Sequence, residues 1–191
     1  MKKIIIFTLQ AFIIWLLSSK IVFADLQKDL INKLSATRTL SFNFKQKIGE
    51  KEETGICYIK YPLLMKCDYQ NVKKKSIISN GKTVAIIKKN YKKIYYYPIK
   101  TTPLYYILQK NKILSLIRNN KPSKISSDSI EFELIEKKNK LKIYFDKNSL
   151  EFKGWETTDA YSNNVRFVMS NLKINNIIDD NFFKIPKENE L

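Results

Sequence analysis

The chain has 191 residues, carries 35 Lys plus Arg against 18 Asp plus Glu for a formal charge of +17, and contains no histidine. The missing histidine excludes a Ser-His-Asp or Cys-His catalytic arrangement and any His metal ligand, two cysteines cannot complete a structural zinc site, and four glycines argue against a Gly-rich phosphate cradle. The length suits one domain with a real core, 13% aromatic residues argue against disorder, and the charge raises nucleic acid or an anionic membrane as partners.

Met1 to Lys3 is basic, Ile4 to Leu17 is apolar apart from Thr8 and Gln10, and Val22-Phe23-Ala24 offers small residues at a cleavage position. This is the three-part pattern of a secretory signal, and the apolar run is shorter than the ~20 residues of a membrane span. Residues 1–24 are therefore expected to be a signal peptide cleaved after Ala24. Residues 25–191 remain as a single exported domain. Loss of Lys2, Lys3 and Lys20 lowers the formal charge from +17 to +14. Export also weakens a nucleic-acid reading, and of the 35 basic residues only Arg38, Arg118 and Arg166 are Arg, a Lys-rich composition that coding bias can produce without a ligand.

Asp25 to Ser35 places Leu26, Leu30, Ile31 and Leu34 at helical spacing, which predicts a short amphipathic helix. Leu40 to Lys47 alternates apolar and polar residues and predicts a half-buried strand. Gly55 to Lys60 and Met65 to Tyr69 predict two strands about a turn at Tyr61-Pro62-Leu63-Leu64. Lys73 to Ser79 and Thr83 to Lys88 flank Asn80-Gly81, a strong hairpin signal. Lys92 to Tyr97 predicts a further strand ended by Pro98. Thr101-Thr102-Pro103 then starts a helix through Leu104-Tyr105-Tyr106-Ile107-Leu108, and Ile113, Leu114, Leu116 and Ile117 continue a second helical stretch. Asn119 to Ser129 is polar and predicts a loop.

Ile130 to Glu136 and Lys140 to Phe145 predict a hairpin. Glu151 to Thr158, a turn near Ser162-Asn163-Asn164, and Val165 to Ile174 follow, and Phe182-Phe183 close the chain before Pro186. About ten or eleven short antiparallel strands at even spacing, with a few helices, imply an α+β chain that is mainly β, built as a barrel or strongly curved sheet.

Gly81-Lys82-Thr83 resembles the end of a phosphate-binding loop, but Ser76 stands where that pattern needs glycine and a hairpin explains the turn. The carboxylate pairs Glu131/Glu133 and Asp179/Asp180 read as solvated surface. Tyr91, Tyr95, Tyr96, Tyr97, Tyr105 and Tyr106 lie among lysines, a composition that can stack single-stranded nucleic acid but also suits strands. Cys57 and Cys67 fall on the inner face of the hairpin about Pro62, nearly opposite each other. They are either a disulfide in an oxidising compartment or two small apolar fillers.

The order of these pieces is similar to that of a known family. The opening helix, Phe42-x-Phe44-x-Gln46, Gly55-x-x-Tyr58-Ile59-Lys60-x-Pro62, Met65-Lys66-x-Asp68-Tyr69 and Ile78-x-Asn80-Gly81-Lys82 come in turn. Tyr97-Pro98-x-x-x-Thr102-Pro103-Leu104-x-x-Ile107-Leu108, Leu150-x-x-x-Gly154-Trp155 and Phe182-Phe183-Lys184-Ile185-Pro186 complete the set. Over nearly all of residues 25–191 the chain resembles the periplasmic outer-membrane lipoprotein carriers, the LolA family. The resemblance implies an unclosed half β-barrel with a helical lid over a hydrophobic cavity, in a periplasmic chaperone rather than an enzyme. Such a carrier shields acyl chains of lipoproteins released by an inner-membrane ABC-type complex and passes them to an outer-membrane acceptor. It needs no cofactor and no metal, and acts as a monomer without nucleic acid.

On this reading Cys57, Ile59, Met65, Cys67 and Tyr69 fall on the cavity wall and Leu104, Ile107 and Leu108 on the lid, with Trp155 a further wall candidate. Tyr61 occupies the position where the family carries a lid-latching Arg, so any latch there loses the guanidinium fork. Lys66 is a second basic candidate but faces outward. The alternative is a periplasmic binding protein for another amphiphile, a phospholipid or glycolipid, on the same fold.

Overall fold

The computed structural model describes residues 25–70, 74–136, 139–158 and 163–191. The expected signal segment and the start of the Lys73–Ser79 strand lie outside the described residues, as does Ser162 of the expected turn. The first helix, α1, covers residues 25–36. Six strands follow: β1 (Thr39–Ile48), β2 (Lys51–Lys60), β3 (Leu64–Tyr69), β4 (Lys75–Asn80), β5 (Thr83–Lys88) and β6 (Lys93–Pro98). Helices α2 (Leu104–Leu108) and α3 (Lys110–Asn119) interrupt the strands. Then come β7 (Lys124–Ile125), β8 (Ser129–Glu136), β9 (Asn139–Asp146), β10 (Phe152–Thr158) and β11 (Asn164–Ile174).

All eleven strands form one antiparallel sheet in the order β6-β5-β4-β3-β2-β1-β11-β10-β9-β8-β7. The strands nearest the two ends of the chain, β1 and β11, therefore meet in the middle. The edges are β6 and β7, and they do not pair, so the barrel stays open. Register shifts between Ser41 and Asn43 on β1 and between Phe152 and Gly154 on β10 are the irregularities through which such a sheet bends. Gly154, with φ of +148°, takes a backbone conformation that side chains resist, and a Cβ there would lie 2.1 Å from the Phe167 carbonyl oxygen.

Side chains alternate along the strands, and the inward set is apolar: Phe42 and Phe44 on β1, Cys57 and Ile59 on β2, Met65, Cys67 and Tyr69 on β3, Phe167 and Met169 on β11. The helices close over this face. Leu30 and Leu34 of α1, Ile107 and Leu108 of α2, and Ile113, Leu114, Leu116 and Ile117 of α3 join the same core. Gln27 on α1 donates from Nε2 to the Ile117 carbonyl at the end of α3.

Three stretches differ from expectation, the first being β2, which begins at Lys51 rather than Gly55 because residues 51–54 pair with Lys45–Ile48 of β1. The predicted loop 119–129 contains the two-residue strand β7, which pairs Lys124 with Glu131 at the sheet edge. Leu64, expected in the turn, opens β3 because its pairing with Asn80 of β4 and Lys60 of β2 extends the ladder. Beyond β11 the chain crosses the outer face, where Ile185 and Leu191 cover a smaller cluster of Ile78, Ala85, Ile87 and Ile94. Phe182 packs edge-on against Tyr58 there, and Lys66 sits 4.3 Å above the Phe182 ring.

Candidate functional site: an apolar cavity under a short helix

A cavity of about 260 Å³ lies between the inner sheet face and α2. Strand alternation supplies its floor. Met65, Cys67 and Tyr69 come from β3, Ile77 from β4, Trp155 from β10 and Phe167 from β11, while Pro103, Leu104 and Ile107 form the roof. The floor is mainly aromatic. Trp155 stacks on Phe167 at 4.0 Å, Phe167 on Phe44 at 4.7 Å, and Phe44 meets Tyr69 edge-on at 4.8 Å.

Of the residues expected to form the cavity, Met65, Cys67, Tyr69, Leu104, Ile107 and Trp155 border it. Cys57, Ile59 and Leu108 also point inward, but they are fully buried in the packed core and contribute no cavity wall. Alternation reports which face a side chain takes, not how far along the strand the covering helices leave space. Val165 and Phe167 line the cavity as well, and the alternation of β11 is the signal that points to them. Gln46, Thr157 and Thr158 also line it, and nothing in their local sequence separates them from ordinary strand polar residues.

Tyr69 donates its hydroxyl to Gln46 Oε1 at 2.6 Å. Lys75 Nζ lies 3.7 Å above the Tyr69 ring and 2.5 Å from Oε2 of the buried Glu53. Burial alone would raise the Glu53 pKa, but hydrogen bonds and charge from Lys75 and Lys51 together hold it below the usual carboxylate value. Burial, aided by the Glu53 charge, pushes the Tyr69 phenol up, so this hydroxyl stays protonated and donating.

Cys57 and Cys67 are paired in register across β2 and β3 and are joined by a disulfide. Tyr61 packs against the core with its hydroxyl buried and without a hydrogen-bond partner, so it makes no polar latch to the lid here. Other groups hold the helices. The Leu63 N–H donates to the Leu108 carbonyl at 3.0 Å, and Lys110 Nζ donates to the Ser35 and Thr37 carbonyls at 2.9 and 2.8 Å. The Lys66 side chain is turned to the outer face, against Phe182.

The residues that other chemistries would have used take structural roles. Asn80 Oδ1 accepts from the Lys82 and Thr83 N–H groups and Gly81 has φ of +95°, which makes Asn80-Gly81-Lys82 a hairpin turn. Glu133 pairs with Lys140 at 2.8 Å, and Asp180 with Lys60 at 2.6 Å. Asp179 caps the turn at Asp180–Phe183. Tyr95, Tyr96 and Tyr97 are exposed on the edge strand β6. Among the described residues no group of three or more His, Cys, Asp or Glu could hold a metal ion.

The family model described as "Outer membrane lipoprotein carrier protein LolA" matches residues 35–186. No curated protein matches the chain by sequence. Among solved structures, the fold is similar to an uncharacterized conserved protein from Thermus thermophilus, at 10% identity and TM-score 0.51, covering 86% of this chain and 94% of that one. A putative outer membrane lipoprotein-sorting protein domain from Vibrio parahaemolyticus is similar at 10% identity and TM-score 0.44, covering 81% and 94%. A LolA superfamily protein from Nitrosomonas europaea is similar at 7% identity and TM-score 0.42, covering 82% and 97%.

Proposed function

We propose a carrier function for this chain, which belongs to the LolA family of outer membrane lipoprotein carriers: it shelters the acyl chains of a lipoprotein in transit across the periplasm. The observation that carries the reading is the apolar cavity of about 260 Å³ between the curved sheet and α2. Each exposed CH₂ of an acyl chain costs ~0.8 kcal/mol in water, so a lipid anchor needs apolar shelter and no bond-making chemistry. The wall of Met65, Cys67, Ile77, Trp155 and Phe167 and the roof of Leu104 and Ile107 offer it.

The size bears on the mechanism. An apolar cavity of ~150 Å³ already takes up benzene, so this one admits part of an acyl chain, while a full lipid anchor requires the roof to move. α2 is only five residues long and ends at Gln109, whose φ of −94° and ψ of 87° leave the helical region. Its backbone tie to the β2–β3 turn is the Leu63–Leu108 hydrogen bond, a contact that opens at small cost. Cargo would come from an inner-membrane ABC-type release complex and leave to an outer-membrane acceptor. Residues 1–24 would direct export and be removed after Ala24. The basic surface would assist docking to anionic membranes or acidic partner surfaces.

The test is purification from the native periplasm followed by mass spectrometry of what is bound, together with depletion of the protein in its host. Copurifying triacylated lipoprotein, and lipoproteins accumulating at the inner membrane on depletion, are the expected results. Recovery of free phospholipid alone, with lipoprotein sorting intact on depletion, overturns the reading in favour of another amphiphile.

A further inference from the structure

We propose that Thr157 and Gln46 form a seat for the carbonyl oxygen of a fatty acyl ester at the mouth of the cavity. This rests on the carrier reading for the cavity itself and adds what recognises the lipid and sets its depth.

Thr157 follows Trp155 on the inward face of β10 and pairs with Val165 on β11. It lines the cavity, is only 9% exposed, and its Oγ1 is buried without any hydrogen-bond partner. An unpaired buried hydroxyl is destabilising, and valine has the same shape without that penalty. A threonine here therefore awaits an acceptor or donor that the protein does not provide.

Gln46, on β1 opposite Phe167, lines the same cavity from the far side of β11, two residues out of register with Thr157. Its Oε1 is engaged by the Tyr69 hydroxyl. That leaves its amide N–H groups, which make no hydrogen bond among the described residues, as donors on the cavity lining. An otherwise apolar cavity whose lining includes these two residues favours a ligand that is hydrocarbon along its length and carries an acceptor.

The position of Thr157 narrows the chemistry. Together with Thr158 it borders both the apolar cavity and a separate outward depression lined by Lys140, Lys142 and Glu156. It stands where apolar interior gives way to charged surface. In an acylated amphiphile the ester linkage sits at that same boundary between tail and head. Ester carbonyls accept hydrogen bonds and donate none, which matches a Thr hydroxyl and a Gln amide acting as donors.

The test compares ester and ether twins by titration calorimetry. The probes are a soluble short-chain diacyl phosphatidylglycerol, its dialkyl ether counterpart, and a synthetic tripalmitoylated cysteinyl peptide. The wild-type protein should bind the diester about 3- to 10-fold more tightly than the diether, the effect of one or two neutral hydrogen bonds. Thr157→Val should erase that preference, and Thr157→Ser should keep it. No ester preference in the wild type, or the same preference in Thr157→Val, overturns the seat. If Thr157→Val does not fold, the wild-type and Thr157→Ser comparisons still decide. Ester preference with no binding of the lipopeptide leaves the seat standing and removes the lipoprotein cargo. Tight lipopeptide binding without ester preference does the reverse, and failure of all three probes to bind removes both.

Discussion

Glu53 is 8% exposed, and two of its partners differ in quality: Lys75 is largely buried beside it, whereas Lys51 reaches in from solvent. An exposed partner adds little, so Lys75 carries most of the effect. A carboxyl whose folded pKa lies below its unfolded value adds stability that is complete above the unfolded pKa and disappears as pH falls through the folded one. Glu53→Gln should therefore lower stability at neutral pH by about 1–3 kcal/mol and flatten the loss of melting temperature on acidification. Melting curves at several pH values check this; parallel acid limbs in both proteins would show that other carboxylates dominate. Tyr61 gives the opposite expectation. Its hydroxyl is buried without a partner, so Tyr61→Phe should leave the melting temperature unchanged or raised, and ligand uptake unaltered. A drop of several degrees would mean that the hydroxyl holds the lid after all. The family resemblance could place Tyr61 at the lid but could not say whether its oxygen finds a partner, because that depends on helices remote in sequence.

At the level of elements the sequence was most legible where periodicity is strong. The Asn80-Gly81 turn, the alternation of Leu40 to Lys47 and the helical spacing of Leu30 and Leu34 all correspond to what forms. β7 was hidden because two residues carry no period. Cys57 and Cys67 were legible as facing residues, since the hairpin about Pro62 fixes their register, whereas their covalent state is a property of the compartment as well as of the spacing. The disulfide closes a ten-residue separation, and constraining a loop of that size in the unfolded chain is worth roughly 2–3 kcal/mol. The measurement is melting with and without reductant. The oxidised wild type should lose several degrees on reduction, while a Cys57→Ala, Cys67→Ala double variant should be insensitive. Equal melting of the wild type in both conditions would mean that the two cysteines act as apolar fillers.

For the whole molecule, the absence of histidine and the excess of lysine have different weights. A carrier that works by apolar burial needs no titrating nucleophile, and among the described residues the charge lies mostly on exposed Lys. What selects the cavity over the exposed tyrosines of β6 as the lipid site is linkage between binding and stability. A ligand present at about 100 times its Kd stabilises the folded state by about 2.7 kcal/mol, which for a domain of this size raises the melting temperature by roughly 5–10 °C. Binding of the tripalmitoylated peptide should give a rise of that order. Ile107→Ala provides the control for place. Ile107 is fully buried, roofs the cavity, and its truncation should cost about 2–5 kcal/mol by leaving a larger void. An acyl chain entering that void replaces part of the lost packing, so the ligand-induced rise should be larger in Ile107→Ala than in the wild type. A chain held on the Tyr95–Tyr97 edge would leave the rise the same in both proteins, and that equality would place the lipid outside the cavity.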